Sequence, residues 1–168
     1  MQLTYEYIRS TAKKFRKQQP DLTIIFFLQS LDRNTYEFWN RLYMVSDRRR
    51  PSSNPHPLIY KHPETQKPVL CFHLGMTDGF ILDHGTPNSR QTTEEETDSI
   101  LNSIHNKITS HAGLDLQYKH DWKPGDFIIS DNLALGHEAS PETQYPKSEV
   151  GLRVMHRVTI EGKHIPTK

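Results

Sequence analysis

Three side chains near the end of the chain have the types and spacing to do chemistry: His137, Arg153 and Arg157. His137 follows an apolar stretch and the polar pair Asp131-Asn132. Arg153 and Arg157 stand four residues apart in residues 151–160, whose composition predicts a strand. Side chains alternate across a strand with period two, so both arginines are expected on one face. Two guanidinium groups on one face repel each other and require an anion, an acidic partner or solvent between them. The chemistry on offer is therefore one imidazole near two anion receptors. The bland alternative is a solvent-facing strand beside a turn histidine, and on spacing alone it is the commoner pattern, because antiparallel sheets often show one face to water. His156 alternates away from both arginines, which suits a structural role.

The elements that must position these residues are short. Residues 5–15 carry apolar positions at helical spacing, closed by Pro20, and residues 22–28 (LTIIFFL) read as a buried strand, with a helix as the alternative. Asn34 could cap a short helix that buries Phe38, Trp39 and Leu42. Residues 47–57 (DRRRPSSNPHP) are a loop by composition, and its arginine run could touch an anion, although a solvated loop is the commoner outcome. Residues 58–61 and 69–73 are strand candidates around a turn at 62–67. Residues 92–112 form the clearest helix. Thr92 and Glu95 fit a capping box, Ile100, Leu101, Ile104 and Ile108 form one apolar face, and Gly113 suits the stop. Residues 116–120 and 127–130 are further strand candidates around a tight turn at 123–126. Many short strands with one inserted helix predict a mainly β fold of sandwich or jelly-roll type.

Composition sets outer bounds. The 168 residues suffice for one domain, yet the hydrophobic share is 34% and mean hydropathy is −0.74, so the core is expected to be thin or completed by other residues. A formal net charge of +1 offers no global attraction to nucleic acid or to an anionic membrane. Cys71 is the single cysteine, which excludes an internal disulfide and a cysteine zinc cluster and suits a reducing compartment. With no apolar signal core at the start and no run of about 18 apolar residues, a cytoplasmic protein is expected.

The stretch from 118 to 160 resembles the C-terminal signature of the TauD/TfdA-like Fe(II)/2-oxoglutarate-dependent dioxygenases. A Trp122-Lys123-Pro124-Gly125-Asp126 turn leads to Asp131-Asn132, then His137, then the Arg153-Val154-Met155-His156-Arg157-Val158-Thr159-Ile160 strand. Upstream, His56-Pro57-Leu58-Ile59, His62-Pro63-Glu64-Thr65 and the helix start Thr93-Glu94-Glu95-Glu96 are similar to the family's segment ahead of its helical insert. The resemblance covers roughly residues 55–162. It is the order of these pieces that makes it specific.

The resemblance implies a (partial) double-stranded β-helix, or jelly roll, with a helical insert. Residues 1–54 form a helical or irregular segment of unclear match, and residues 55–168 the C-terminal part of the dioxygenase domain. It implies Fe(II) as metal and 2-oxoglutarate as co-substrate. His137 would be the distal histidine of a two-His, one-carboxylate triad, which suits Fe(II) and leaves positions open. Arg153 would pair with the distal carboxylate of 2-oxoglutarate, whose planar geometry fits a guanidinium fork. Arg157 matches the position facing the substrate's acidic group in taurine-type members. The implied reaction is hydroxylation of a small acidic substrate.

The triad also needs a His-x-Asp or His-x-Glu pair. The only His-x-Glu here is His62-Pro63-Glu64, in a turn that the family has and does not use for metal. The chain is accordingly expected to be a truncated or incomplete form, a catalytically inactive jelly-roll binding or structural module, or one part of a two-chain enzyme. Strand edges left unpaired by such a truncation would favour self-association or a partner chain.

Overall fold

A computed structural model describes residues 27–46, 55–71, 77–117, 123, 125–127, 129, 131, 133–136, 145–151, 158 and 167–168. The candidate helix at 5–15 lies outside them.

Residues 27–29 are helical, so the described part of the 22–28 run is not the strand its composition suggested. A short apolar run fits a buried helix as well as a strand, and tertiary context decides. Here the turn stacks Phe27 against Trp39, with ring centroids 6.5 Å apart. Helix α1 (Arg33–Asn40) begins at Asp32, whose carboxylate accepts both the Thr35 amide at 2.9 Å and the Thr35 hydroxyl at 2.7 Å. The expected cap, Asn34, is two residues too late, because Asp32 meets Thr35 twice and so starts the helix earlier. Trp39 is 1% exposed, whereas Phe38 is turned toward solvent, and Leu42 is buried from the following strand rather than from the helix.

Strand β1 (Leu42–Ser46) lies inside a four-stranded antiparallel sheet, flanked by β2 (His56–Pro57) on one side and β5 (Thr77–Leu82) on the other. The outer strand, β6 (Arg90–Gln91), pairs with β5. Leu42 faces Leu82 and Met44 faces Phe80 across the β1–β5 ladder, with a bulge between Val45 and Ser46. That register puts Leu42, Met44 and Phe80 in the core, because alternate residues share a face. At the end of the ladder Arg41 and Asp83 close a two-pronged ion pair, with Arg41 Nε donating to Asp83 Oδ1 at 2.7 Å. Strands β3 (Ile59–Lys61) and β4 (Pro68–Leu70) form a separate antiparallel hairpin, as the turn at 62–67 suggested.

Helix α2 (Glu94–Ile108) covers the four-stranded sheet through Thr97, Ile100 and Ile104, all buried, with Leu101 and Ile108 partly buried beside them. Its capping box is Thr93 with Glu96, one residue later than expected. Thr92 is unavailable as cap because its amide and hydroxyl bind the backbone of Phe80. Three glutamates in the first turn complement the positive end of the helix. The helix ends at Ile108, earlier than the expected 112, and Ser110 starts a second short helix, α3 (His111–Leu114). Gly113 is therefore inside α3 and not a stop signal. A Cβ there would come within 2.2 Å of the Ile108 carbonyl oxygen, so only glycine allows this approach.

Further along, the tight turn holds: the Asp126 amide donates to the Lys123 carbonyl at 3.0 Å, and Gly125 has φ of 92°. Three strand expectations do not hold for the residues described. Leu116 lies in a turn, and Gln117, Phe127 and Ile129 belong to no strand. Gly151, at φ of 77°, follows helix α4 (Lys147–Val150), and Val158 is 88% exposed and outside any strand. Apolar alternation makes a strand only where a neighbouring strand supplies the ladder, and among the described residues none pairs with these. Residues 152–157 and 159–160 lie outside the description. The architecture, antiparallel sheet with a helical insert, agrees with the expected mainly β class.

Candidate functional site

The described residue nearest in sequence to His137 is Gly136, and the turn that ends there is fastened to the β3–β4 hairpin. The fastening begins with His62, the first residue after β3, which is only 4% exposed. Its backbone is held in the hairpin turn: the His62 amide donates to the Lys67 carbonyl at 2.9 Å, and the Gln66 amide donates to the His62 carbonyl at 2.8 Å. Its ring is held as tightly. The amides of Glu64 and Thr65 both donate to Nδ1, each at 3.2 Å. An imidazole nitrogen that accepts from N–H groups carries no proton, so in the neutral ring the proton sits on Nε2. Nε2 stands 3.0 Å from Asp131 Oδ2 and therefore donates to that carboxylate.

Asp131 then orders its own turn. Its Oδ1 accepts the Leu133 amide at 2.9 Å, and its carbonyl accepts the amides of Ala134 and Leu135 at 3.1 and 2.9 Å. A carboxylate that binds its own backbone two residues on is a common way to close a turn. The Tyr60 hydroxyl, from β3, donates to the Leu133 carbonyl and adds a second tie between hairpin and turn. Burial pushes the Tyr60 phenol above its ordinary range, with the Cys71 thiol and the Asp131 carboxylate opposing ionisation as well, so it stays a donor. The Cys71 thiol is itself raised by burial. Sequence inspection singled out Asp131-Asn132 and the 62–67 turn separately. Nothing in their spacing, 69 residues apart, signals that they meet.

His137, Arg153 and Arg157 lie outside the described residues. His62 and Glu64 do not form a metal pair. Both ring nitrogens of His62 are engaged, and Glu64 is exposed to solvent. Among the described residues no group of three His, Cys, Asp or Glu side chains converges as a metal site would require. The donor chemistry of the three sequence candidates fits the implied groups in part: one imidazole for one iron position, and one guanidinium for one carboxylate of 2-oxoglutarate. Among the described residues, no helix is long and apolar enough to cross a membrane.

Comparison with known proteins gives a consistent set of relatives. Residues 9–159 match the family described as taurine catabolism dioxygenase TauD, TfdA, a match that reaches further toward the N-terminus than the motifs from 55 to 162. An alpha-ketoglutarate-dependent sulfonate dioxygenase of Saccharomyces cerevisiae is 26% identical over 107 residues, 64% of this chain and 23% of that protein. A tyrosine isonitrile desaturase of Erwinia amylovora is 28% identical over 109 residues, 64% of this chain and 35% of that protein. An alpha-ketoglutarate-dependent xanthine dioxygenase of Schizosaccharomyces pombe is 24% identical over 110 residues, 66% of this chain and 25% of that protein. The aligned part of this chain thus spans only 23% to 35% of the length of these relatives.

Proposed function

This chain belongs to the TauD, TfdA dioxygenase family, and from that premise we propose that it supplies the C-terminal part of an Fe(II)/2-oxoglutarate-dependent dioxygenase acting on a small acidic molecule. The observation that carries the proposal is the family match across residues 9–159, which contains the ordered set Asp131-Asn132, His137, Arg153 and Arg157. His137 holds one position on Fe(II). Arg153 grips the distal carboxylate of 2-oxoglutarate with a planar fork that an ammonium would not match. Arg157 faces an acidic group of the substrate. When bound, iron with 2-oxoglutarate supplies the oxidation of a C–H bond coupled to decarboxylation to succinate. The name of one relative, a sulfonate dioxygenase, supports an acidic substrate.

One imidazole does not hold iron in a fixed geometry, and no His-x-Asp or usable His-x-Glu pair is found in this chain. Full activity therefore depends on ligands from elsewhere, in a longer form or a second chain. The single cysteine suits a cytoplasmic setting, and the near-neutral charge gives no reason to expect nucleic acid or membrane as partner. The second reading, a catalytically inactive jelly-roll module, is favoured by the engagement of both ring nitrogens of His62, in the one His-x-Glu of the sequence, by Glu64, Thr65 and Asp131.

The deciding experiment measures Fe(II) and 2-oxoglutarate binding, and succinate release, with the purified chain. Weak Fe(II) binding lost in His137→Ala is expected. 2-Oxoglutarate binding should weaken about tenfold or more in Arg153→Ala, the scale of one charge-assisted contact. Succinate release that depends on substrate is expected only when a separately expressed half carrying His-x-Asp is added. Binding unchanged in both variants would leave the inactive module as the better account.

A further inference from the structure

We propose that the end of α1, Tyr43 and Asp83 form a binding site for a primary ammonium group on an unbranched alkyl stem, which Lys168 fills from within the chain. The site stands apart from iron and 2-oxoglutarate. Leu42 and Met44 point into the core, so Tyr43 between them projects from the opposite face of the sheet. The His84 ring packs on it, with centroids 4.8 Å apart and planes tilted by 35°, and braces it from one side. The Lys168 ammonium stands over the Tyr43 ring, 4.6 Å from its centroid, close enough for the negative ring face to attract a cation. The same Nζ donates to the carbonyl of Asn40, the last residue of α1. The last carbonyls of a helix have no partner inside it and carry the negative end of its dipole.

Asp83 adds a carboxylate beside this pair, with a side chain 19% exposed. Hydrogen bonds from Arg41, with the charges of Arg41, Lys168 and Arg90, hold its carboxyl below the ordinary range, so it is ionised at neutral pH. Arg41 already shares that carboxylate, so the ring and the carbonyl carry the recognition, and Asp83 offsets the repulsion from Arg41. Arg90 is likewise paired, with Glu96. Burial pulls the Lys168 ammonium below its ordinary value, and Asp83 opposes that shift. A primary ammonium suits the site because it offers N–H donors to Asn40 and a compact charge to the ring. Lys168 is delivered by its neighbour: the Lys61 amide of β3 donates to the Thr167 carbonyl at 2.9 Å. That backbone tie makes occupation intramolecular, equivalent to about millimolar free amine.

The test opens the site and offers the missing group back. Lys168→Ala shortens an exposed residue, so the fold is retained. n-Propylammonium chloride replaces the atoms removed, with sodium chloride at equal concentration as the control for ionic strength and n-propanol as the control for the stem. Tyr43 ring signals are followed by NMR in the full chain, with melting temperature as the second reading. Lys168→Ala should shift the Tyr43 signals and lower Tm by about 2–4 °C, the scale of one cation–π contact in a chain of this length. Propylammonium should return both toward the values of the unaltered chain, saturably, while neither control does. In the unaltered chain it should move the Tyr43 signals far less, because Lys168 competes. Adding Tyr43→Leu to Lys168→Ala should abolish the recovery of Tm. Tetramethylammonium, which has no N–H for Asn40, should bind Lys168→Ala more weakly than propylammonium. Tyr43 signals in Lys168→Ala that ignore propylammonium, or respond equally to sodium chloride, overturn the site. Equal responses in Lys168→Ala and the unaltered chain overturn its occupation by Lys168. Tetramethylammonium binding as tightly as propylammonium overturns the role of the Asn40 carbonyl and the preference for a primary ammonium.

Discussion

Thr92 binds both backbone groups of Phe80: its amide donates to the Phe80 carbonyl at 2.9 Å, and its hydroxyl oxygen accepts the Phe80 amide at 3.1 Å. Phe80 is fully buried at the centre of β5, and Thr92 is the residue from which the chain turns into α2. The same hydroxyl lies 2.8 Å from that of Thr97, one turn into the helix, and Thr97 also donates to the Thr93 carbonyl. One side chain thus joins sheet, turn and helix. Thr92→Val keeps the shape and removes the hydroxyl, leaving the Phe80 amide without that acceptor. A loss of about 1–3 kcal/mol is expected in denaturant melts, the cost of an unsatisfied buried polar group. A change below a few tenths would show that water replaces the contact.

The helix itself should be sensitive at one position and tolerant at its neighbour. Ile104 is fully buried against the sheet, while Leu101 is only partly covered. Ile104→Ala is expected to cost about 2–4 kcal/mol, from lost transfer energy and the cavity left behind. Leu101→Ala should cost roughly half as much or less, because its site is open to solvent. Equal losses at the two positions would contradict this packing.

Acid should loosen the start of α2. Hydrogen bonds from the Arg90 guanidinium and then the Thr93 amide hold the Glu96 carboxyl at about 2, below its ordinary value. Asp32, at the start of α1, is likewise held at about 2 by the Thr35 hydroxyl and amide. A carboxyl depressed in the folded state contributes stability that is fully present above its unfolded value, about 4, and is lost as pH falls toward 2. Melting temperature should therefore drop across that window. Glu96→Gln should lower stability at pH 6 and make the drop shallower. A variant whose pH profile runs parallel to that of the unaltered chain would exclude Glu96 as a source.

The sheet edges should drive association. Among the described residues β2 and β6 end the four-stranded sheet with no strand beyond them, and each is only two residues long. Open edges pair with other chains unless they are covered. The isolated chain is expected to dimerise or aggregate as concentration rises, and to melt at low temperature. Light scattering that shows a monodisperse monomer at high concentration, with a high Tm, would count against open edges.

The sequence by itself determined the family, the mainly β class and the apolar face of α2. Each is written locally, the family in the order of motifs from Trp122 to Ile160, the helix face in the spacing of Ile100, Ile104 and Ile108. Cap positions were legible only to within one or two residues. Asp32 and Thr93 cap where Asn34 and Thr92 were expected, because a cap is chosen by which side chain has a free oxygen once the sheet has formed, and Thr92 is already bound to Phe80. Apolar runs near residues 27 and 127 read as strands, yet strand or helix depends on neighbours that a run of letters does not specify. The hydrogen bond from His62 to Asp131 belongs wholly to tertiary structure. It spans 69 residues, and only the folding of the β3–β4 hairpin, which buries His62 and occupies its Nδ1, aims the remaining ring nitrogen at the turn ahead of His137.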